Sequence, residues 1–504
     1  MIISAMNGFI RHGIKSILRP NATFSGRSSG RAVKALLLAV VIAAAGATAL
    51  MLNPDMTAGL LNGLPLHGTT PDQESWTLAF YLAGDNSLER DQIKNLREIC
   101  AGAPAVAGAP VVAFVDRDDD VSRDSILSAW KGTRLFLVTQ EDYLKVIKTP
   151  VSVDIPRSVD AQRFERAILG RLENEEDRVF LSGCYTRQGS RYVLKERDPL
   201  AGERIRSLLE HQAGYLLPLR GGHVNLDATD AGTLTRFVHF VKDNFPSDRV
   251  LLCITGHGNG WFAGETPQHP DDRSADYAQN FEIASLRQAL AQNPVDVLVL
   301  DMCSMGDIET AWELRECARY LVVNQTAIPT MGLDYAMLLK RLGQRAEWTP
   351  EGVAHDVVEA YRDTYGDSSQ FDISATALEL GEDFHAFVRS FQRAVGDPDR
   401  LPVIRRAALE AGFIPGRHQG RYPMADLLPL ASALGDPELD SLMSKKRFVV
   451  NHAAINSSLS GISLYLPSSA ENLQQHQEGY ARTSFARDFP HGWVSVLPGL
   501  AVDH

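Results

Sequence analysis

The sequence predicts an α/β fold: a mostly parallel sheet flanked by helices on both faces, with an additional α/β C-terminal region. Two observations support this class. From about residue 77 to about residue 325, apolar runs of strand length alternate with helical patterns, as they do in parallel sheets covered by helices. Two of these runs, at 250–255 and 296–301, stop abruptly at small or polar residues, as buried parallel strands do at their carboxyl ends.

The elements can be placed in order along the chain. Strands are predicted at Thr77–Ala83, Val111–Val115, Arg134–Val138, Val250–Thr255, Asp296–Asp301, Tyr320–Val323, Phe371–Leu378 and Gly461–Leu466. Helices are predicted from the turn Gly84–Ser87 to about Cys100, from Asp230 to about Phe245, and at Phe281–Ala291, Asp307–Cys317, Asp383–Ala394 and Arg405–Ala411. Aspartate, asparagine and serine before a helix supply the side-chain acceptors that cap its first turn.

The composition is that of a large globular protein with an acidic surface. The chain has 504 residues, of which 22% are charged and 44% hydrophobic, and its formal net charge is −12. This length predicts two or three domains. Because an acidic body repels phosphate backbones, we expect no nucleic-acid partner, and basic substrates or partners are favoured.

The first 52 residues have the pattern of a targeting segment. Residues 1–34 carry basic residues and no acid, and 35–52 are uncharged and mainly apolar. This order is typical of an export signal or of one membrane anchor, and a buried core helix is the remaining alternative. Small residues at Ala47-Thr48-Ala49 favour cleavage, whereas 18 residues are just enough to span a bilayer. We therefore expect a periplasmic or extracellular body, or one tethered to a membrane by this segment.

The rest of the chain divides by composition. Residues 53–75 contain several prolines and glycines and predict a flexible linker. A catalytic domain is expected at 76–365, within which the charged, irregular stretch 141–221 is interpreted as an insertion with one helix at Val159–Leu172. Residues 366–504 are expected to form a C-terminal α/β subdomain.

Two strand ends carry reactive side chains. His257 lies between glycines after the first strand, and Cys303 follows the second strand 46 residues later. Because the carboxyl ends of parallel strands meet at one edge of a sheet, we expect the two side chains to lie together. A thiol beside an imidazole forms a nucleophile pair. The sequence therefore predicts Cys303 as a nucleophile and His257 as its general base and acid.

The pattern around the pair supports acyl transfer. A thiol attacks a carbonyl only as thiolate, so its pKa must fall from about 8.5. An imidazolium at His257 and the amino end of the helix predicted after Cys303 would both stabilise the anion. The backbone N–H groups of Gly258 and Cys303 are the candidate donors for an oxyanion hole. The other four cysteines lack a surrounding motif, and an odd total of five cannot pair completely.

Several stretches resemble the clostripain family of cysteine peptidases, relatives of caspases, gingipains and legumain. They are Thr77–Glu89, Asn225–Asp227, Thr233-Leu234, His257–Trp261, Asp301–Glu309 and Gly461–Pro467. The resemblance covers about residues 74–140 and 222–500. It implies a caspase-like fold and endopeptidase activity through His257 and Cys303, with no required cofactor. Calcium remains an open alternative, since calcium dependence occurs in the family.

The resemblance also implies cleavage after arginine or lysine. Asp301 matches a family position that faces the specificity pocket, where a carboxylate would pair with a guanidinium or ammonium group. The alternative is that Asp301 only caps the next helix or accepts from a backbone donor. Asp334 is a second candidate for the pocket, with a turn residue as its alternative. Thr255-Gly256 replaces the aspartate that commonly precedes the family's histidine, so a strict preference for basic residues does not follow.

Some relatives are zymogens that cut themselves between the two catalytic blocks, and Arg273 is the only arginine or lysine between His257 and Phe281. It is either a self-cleavage site or an ordinary loop arginine. The acidic run Asp116–Asp120 fits no calcium loop and favours a solvated turn, so no metal site is assigned. The alternative function is a catalytically silent scaffold or binding protein of the cell envelope.

Overall fold

The computed structural model describes residues 74–117, 132–138, 174–195, 226–265, 281–414, 422–445 and 447–501, with short pieces between 145 and 208. The predicted leader at 1–52, most of the linker and the loop that carries Arg273 lie outside these residues. Within them, no helix combines the length and the apolar character needed to cross a membrane.

Fourteen strands are numbered here along the described chain. They are β1 (Trp76–Gly84), β2 (Val111–Arg117), β3 (Arg134–Val138), β4 (Lys145–Val146), β5 (Ser158–Asp160), β6 (Tyr185–Gln188), β7 (Arg191–Leu194), β8 (Arg249–Thr255), β9 (Val295–Asp301), β10 (Ala318–Asn324), β11 (Ile373–Glu379), β12 (Met424–Asp426), β13 (Val449–Ile455) and β14 (Ser463–Tyr465).

The described α-helices are numbered in the same way. They are α1 (Glu89–Gly102), α2 (Glu175–Gly183), α3 (Ala231–Asn244), α4 (Ile283–Leu290), α5 (Ile308–Glu313), α6 (Tyr335–Gly343), α7 (Pro350–Tyr365), α8 (Glu382–Val395), α9 (Leu401–Ala411), α10 (Leu427–Ala433), α11 (Pro437–Lys445), α12 (Ala470–Arg482), α13 (Ser484–Asp488) and α14 (Trp493–Leu500).

Nine strands form the main sheet, in the order β13-β11-β10-β9-β8-β1-β2-β3-β4. The five central strands, from β10 to β2, run parallel to one another. The outer strands β3, β4, β11 and β13 are antiparallel to their neighbours. The predicted mostly parallel sheet is therefore confirmed.

Helices cover both faces of this sheet because its strands are apolar on both sides. On β1, Leu78 and Phe80 belong to a core cluster that includes residues of α1, α6 and α7. The alternate residues Ala79 and Tyr81 belong to a second cluster with residues of α3, α4 and α5. Strands buried on both faces have continuous apolar sequences, which explains why these runs were visible in the sequence.

The C-terminal region continues the same sheet. The domain boundary predicted at 366 precedes β11, yet β11 and β13 pair in the main sheet, and only β12 and β14 form a small sheet of their own. The N–H group of Ser463 on β14 donates to the carbonyl of Gly306 at 2.8 Å, just after Cys303. The C-terminal residues therefore pack against the backbone that carries the candidate nucleophile.

The predicted insertion has a small core of its own. Its described parts are α2 and the three-stranded sheet β5-β7-β6, and Phe164, Leu181 and Tyr185 are buried together. The helix predicted at Val159–Leu172 is wrong at its start, because Ser158–Asp160 pairs as a strand with β7. A strand held by a distant partner leaves no helical or alternating signal in so short a segment.

Most predicted boundaries agree with the structure to within a few residues, and one helix is much shorter than expected. Asp230 caps α3 by accepting from the Thr233 N–H at 2.8 Å, as predicted. The helix expected at Asp307–Cys317 ends at Glu313, where the chain turns into β10. A six-residue helix has a small macrodipole, and the Asp307 side chain already accepts from its first turn. The thiolate stabilisation expected from this helix is accordingly weaker.

Candidate active site

The two reactive side chains follow strand ends that lie at the same level. Strands β8 and β9 are parallel neighbours in which Thr255 is paired with Asp301. His257 lies two residues beyond Thr255, and Cys303 lies two residues beyond Asp301. The register alone therefore brings the imidazole and the thiol to one edge of the sheet, although they are distant in sequence.

Cys303 lies on a tight turn between β9 and α5. The next residue, Ser304, has φ of 56°, a left-handed conformation that is uncommon outside glycine. Its N–H donates to the Thr326 carbonyl at 2.9 Å. The Cys303 side chain is half-buried, and its Sγ lies 3.7 Å from the carbonyl oxygen of Ile328. The turn thus presents the sulfur at the strand end instead of burying it in the core.

His257 is held on a glycine-lined segment. A Cβ atom at Gly256 would lie 2.9 Å from the ring of Phe281, and the Gly256 φ of +157° also disfavours a side chain. At Gly258 a Cβ atom would lie 2.8 Å from Met302 and 3.0 Å from the Cys303 carbonyl. Glycines on both sides therefore let the histidine segment approach the cysteine turn closely.

Both side chains line one cavity at this edge of the sheet. Its walls come from the start of α1, the ends of β8 and β9, and the loop after β10. The described lining residues are Leu88, Gln92, Asn95, Thr255, Gly256, His257, Asp301, Cys303, Ile328, Pro329, Thr330 and Gly332. The predicted meeting of His257 and Cys303 is thus present as a shared cavity.

Asp301 contributes a buried carboxylate to the same cavity. Its Oδ1 accepts from the Tyr361 hydroxyl at 2.6 Å, and its Oδ2 accepts from the Tyr335 hydroxyl at 2.8 Å and the Leu333 N–H at 3.0 Å. Burial raises the pKa of Asp301, and these hydrogen bonds act in the opposite direction. Asp301 therefore accepts from a backbone donor, as one alternative expected, and also lines the cavity, while its pairing with a basic substrate side chain stays a prediction.

Three polar residues of the site were missed by the sequence reading: Gln92 and Asn95 on α1, and Ser87 just before it. Gln92 and Asn95 are 3% and 2% exposed, and they lie on the helix face that also buries Ile93 and Leu96. Gln92 Oε1 accepts from the Thr255 hydroxyl, and Asn95 Oδ1 accepts no hydrogen bond from the described residues. Two amides among the buried apolar residues of this helix face were the sequence feature that could have indicated a polar cavity wall.

Ser87 contacts the imidazole directly. Its Oγ lies 3.0 Å from Nε2 of His257. This contact engages Nε2 with a hydroxyl that can donate or accept, according to the tautomer of the ring. No periodic pattern could have revealed it, because Ser87 belongs to the turn after β1, and only the pairing of β1 with β8 brings that turn to the histidine.

Of the other two predicted site residues, only Asp334 is among the described residues. Asp334 caps α6 by accepting from the Met337 N–H at 2.9 Å, and it is not among the described lining residues. This placement favours the turn alternative over the pocket alternative. Arg273 falls outside the described residues. Across the described parts of the chain, no group of three or more His, Cys, Asp or Glu side chains is arranged to hold a metal ion.

The remaining cysteines have surroundings that oppose thiolate formation. Burial raises the pKa of Cys100 and of Cys317 to about 12, and it raises the pKa of Cys253 well above its usual value. The pKa of Cys184 is also raised by burial. Of the five cysteines, Cys303 is the one that lines the cavity beside His257. Reactive cysteines need a partly exposed, charge-stabilised setting, so this site is the chemically suitable one.

Comparison with known proteins agrees with this geometry. The model of the clostripain family matches residues 217–395, which contain both His257 and Cys303. No curated protein matches the sequence. The fold is similar to that of an inactive zymogen C11 protease from Parabacteroides distasonis, at 17% identity and a TM-score of 0.54, covering 84% of this chain and 99% of that chain.

A second solved structure is a secreted C11 cysteine protease from Bacteroides thetaiotaomicron, in complex with an irreversible peptide inhibitor. It is 15% identical, with a TM-score of 0.53, and the match covers 84% of this chain and 100% of that chain. At this identity the two structures show a shared fold, and the family match covers the strands that carry the reactive pair. Together these findings show that the chain is similar to clostripain-family cysteine peptidases, through a family match over the strands that carry the reactive pair and a fold shared with two C11 proteases.

Proposed function

We propose that the protein hydrolyses peptide bonds through a Cys303–His257 dyad, and that it cuts after arginine or lysine. The observation that carries the proposal is the shared cavity at the paired ends of β8 and β9, lined by His257, Cys303 and Asp301. A thiol, an imidazole and a buried carboxylate are the groups that acyl transfer from a basic residue requires.

The reaction follows from these groups in two stages. The Cys303 thiolate adds to the scissile carbonyl carbon, and His257 then gives its proton to the leaving amine as the C–N bond breaks. The product is a thioester between Cys303 and the acyl half of the substrate. Water, deprotonated by His257, attacks this thioester and releases the carboxylic acid and the free thiol. The backbone N–H groups of Gly258 and Cys303 would hold the negative oxygen in both stages.

The basic preference is supported by the acceptors of the cavity. Asp301 is 4% exposed, and its burial is unfavourable until a positive charge enters beside it. Tyr335 and the Leu333 N–H both bind Oδ2, so Oδ1, with Tyr361 alone, keeps one lone pair for a substrate donor. Asn95, which also lines the cavity, has a buried Oδ1 that no described donor uses. Guanidinium and ammonium groups carry donors only, which suits such a wall.

A peptide-library cleavage profile of residues 74–504 tests this proposal. We expect cuts after arginine and lysine by the wild type and none by Cys303→Ala or His257→Ala. Cys253→Ala is the matched control, because Cys253 is fully buried and outside the cavity. No cleavage by a folded wild-type protein, with or without added calcium, would favour the scaffold alternative. Because every group in the two stages belongs to the protein, we expect activity to survive a chelator.

Self-processing at Arg273 is a separate proposal. It is supported by the basic specificity proposed above, and a protein of similar fold is described as an inactive zymogen. Intact mass of the wild type and of Cys303→Ala should then differ by a cut after Arg273, which Arg273→Gln should abolish. A cut at this position in Cys303→Ala as well would mean that another protease makes it.

Export is also proposed, from the basic and apolar leader in residues 1–52. One protein of similar fold is described as secreted. We expect the protein outside the cytoplasm, either starting after Ala49 or retained in the membrane with residues 35–52 intact. Mass spectrometry of the N-terminal peptide from separated cell fractions distinguishes the two forms. An intact leader in the cytoplasmic fraction would contradict export.

A further inference from the structure

Ser87 occupies a fixed position against the imidazole. The turn between β1 and α1 is held by the buried Asn86, whose side chain donates to the Ala83 carbonyl at 3.2 Å and accepts from the Leu88 N–H at 2.9 Å. The Glu89 N–H also donates to the Asn86 carbonyl at 3.1 Å. Although the Ser87 side chain is exposed, its backbone is therefore held from both sides, and its Oγ is kept 3.0 Å from His257 Nε2.

We propose that Ser87 is a positioning residue for the dyad, which makes the site a Cys303–His257–Ser87 arrangement. The inference rests on the proposed function. In the reactive ion pair both imidazolium nitrogens carry protons, so Ser87 Oγ must accept from Nε2–H while Nδ1–H faces the sulfur. In the neutral state the hydroxyl can accept from Nε2–H or donate to Nε2, so the contact holds the ring orientation in either tautomer. Ser87 thereby keeps the imidazole in the orientation that catalysis needs.

The charged groups near the imidazole determine how a substitution at Ser87 shifts the pH at which the imidazolium loses its proton. Cys303 and Asp301 are the other titratable groups of the described cavity wall. The turn that carries Ser87 also brings Asp85 and Glu89, and Glu89 is paired with the buried Arg117. A neutral hydroxyl is a weaker acceptor than a carboxylate. The imidazolium loses its proton at the alkaline limb of the pH profile. That limb should therefore move to lower pH when the hydroxyl acceptor is removed, and to higher pH when an acid replaces it.

The test is the pH profile of kcat/KM for Ser87→Ala, Ser87→Thr and Ser87→Asp. We expect Ser87→Ala to lose about tenfold in kcat, the size of one hydrogen bond to a charged group, and to move the alkaline limb down by roughly half a pH unit. Ser87→Asp should move that limb up by a similar amount, and Ser87→Thr, which keeps the hydroxyl, should retain the wild-type profile. A mainly structural role would change activity without moving the limb.

Two outcomes are decisive and separable. If Ser87→Ala and Ser87→Asp both keep the wild-type limb while Cys303→Ala is inactive, the inference about Ser87 is wrong and the dyad stands. If Cys303→Ala keeps full activity, the proposed function itself fails. Thermal unfolding of each variant beside the wild type controls for misfolding, and an exposed turn serine should leave it nearly unchanged.

Discussion

Two buried carboxylates stand close to Cys303 in sequence, and they have different surroundings. Asp301 precedes the cysteine and lines the cavity. Glu309 follows it on α5 and lies behind the site, where its Oε1 accepts from the Tyr465 N–H and the Tyr480 hydroxyl, both at 3.0 Å. Burial raises the pKa of both acids, and for Glu309 the neighbouring Asp307 raises it further.

The comparison teaches that a perturbed carboxyl group near a nucleophile is not by itself a binding group. Both acids are almost completely buried, and each is tied to a tyrosine hydroxyl. What distinguishes them is access, because Asp301 reaches a space that a substrate could enter. Perturbed pKa values mark candidates for function, and geometry then chooses among them. Asp301 should therefore govern substrate choice and Glu309 should govern stability.

Neutralising each acid gives the largest expected contrast. Asp301→Asn should reduce kcat/KM for substrates with arginine or lysine before the scissile bond by about a hundredfold or more, because a desolvated charge pair is lost. Glu309→Gln keeps an acceptor for Tyr465 and Tyr480 and should change kcat/KM less than threefold. Steady-state kinetics on one arginine peptide measure both. Equal losses in the two variants would remove the distinction.

Removing one tyrosine hydroxyl from each acid should give a smaller contrast. Tyr361→Phe takes a donor from the Asp301 carboxylate, which raises the pKa of Asp301 further. Since only the ionised form binds a cation, activity should then be lost at a higher pH as the solution is acidified, with a reduction of several-fold near the acid limb.

Tyr480→Phe is the matched control, because it takes the same group from Glu309. We expect it to leave the acid limb in place and to lower the free energy of unfolding by about 1 kcal/mol. The pH profile of kcat/KM and urea unfolding measure the two effects. An acid limb that moves with Tyr480→Phe and stays fixed with Tyr361→Phe would reverse the assignments.

Asn95, which lines the same cavity from α1, extends the comparison. Asn95→Ala should raise KM for arginine substrates several-fold, because an acceptor for the guanidinium is lost. Losing Oδ1 should change the free energy of unfolding little, because this oxygen accepts no hydrogen bond from a described donor. Asn472→Ala is a control of similar burial that removes the acceptor of the Tyr465 hydroxyl. We expect Asn472→Ala to lower stability and to leave KM unchanged. If Asn472→Ala raised KM and Asn95→Ala only lowered stability, substrate recognition would lie elsewhere.

The pH dependence of stability has the smallest expected effect on activity, because it reports on Glu309 alone. A carboxyl group whose folded pKa is raised stabilises the fold fully below its unfolded pKa, and this contribution is lost as the pH rises through the folded pKa. The wild type should therefore lose unfolding free energy above about pH 4.5 relative to Glu309→Gln, by about 1.4 kcal/mol for each unit of pKa difference. Urea unfolding of both proteins between pH 4 and pH 8 measures the difference. Parallel curves would mean that Glu309 is ionised normally.

The sequence was most informative where chemistry lies on the strands themselves. His257 and Cys303 could be predicted because each ends a continuous apolar run, and parallel strands end at one edge. The amides Gln92 and Asn95 could not, because their role depends on how α1 lies over the ends of β8 and β9. The tyrosines at Asp301 come from α6 and α7, far along the chain, and no local pattern announces such contacts. The short strand β5 could not be predicted either, because it is held by pairing with β7 and not by a local pattern.

The most direct test of the account is covalent labelling by a peptide acyloxymethyl ketone that ends in arginine. We expect one adduct on Cys303, found by peptide mapping after incubation of the folded protein, with none in Cys303→Ala and a strongly reduced rate in His257→Ala and Asp301→Asn. An adduct on another cysteine, or no adduct on a protein shown to be folded, would contradict the claim that thiol, imidazole and carboxylate act together in this cavity.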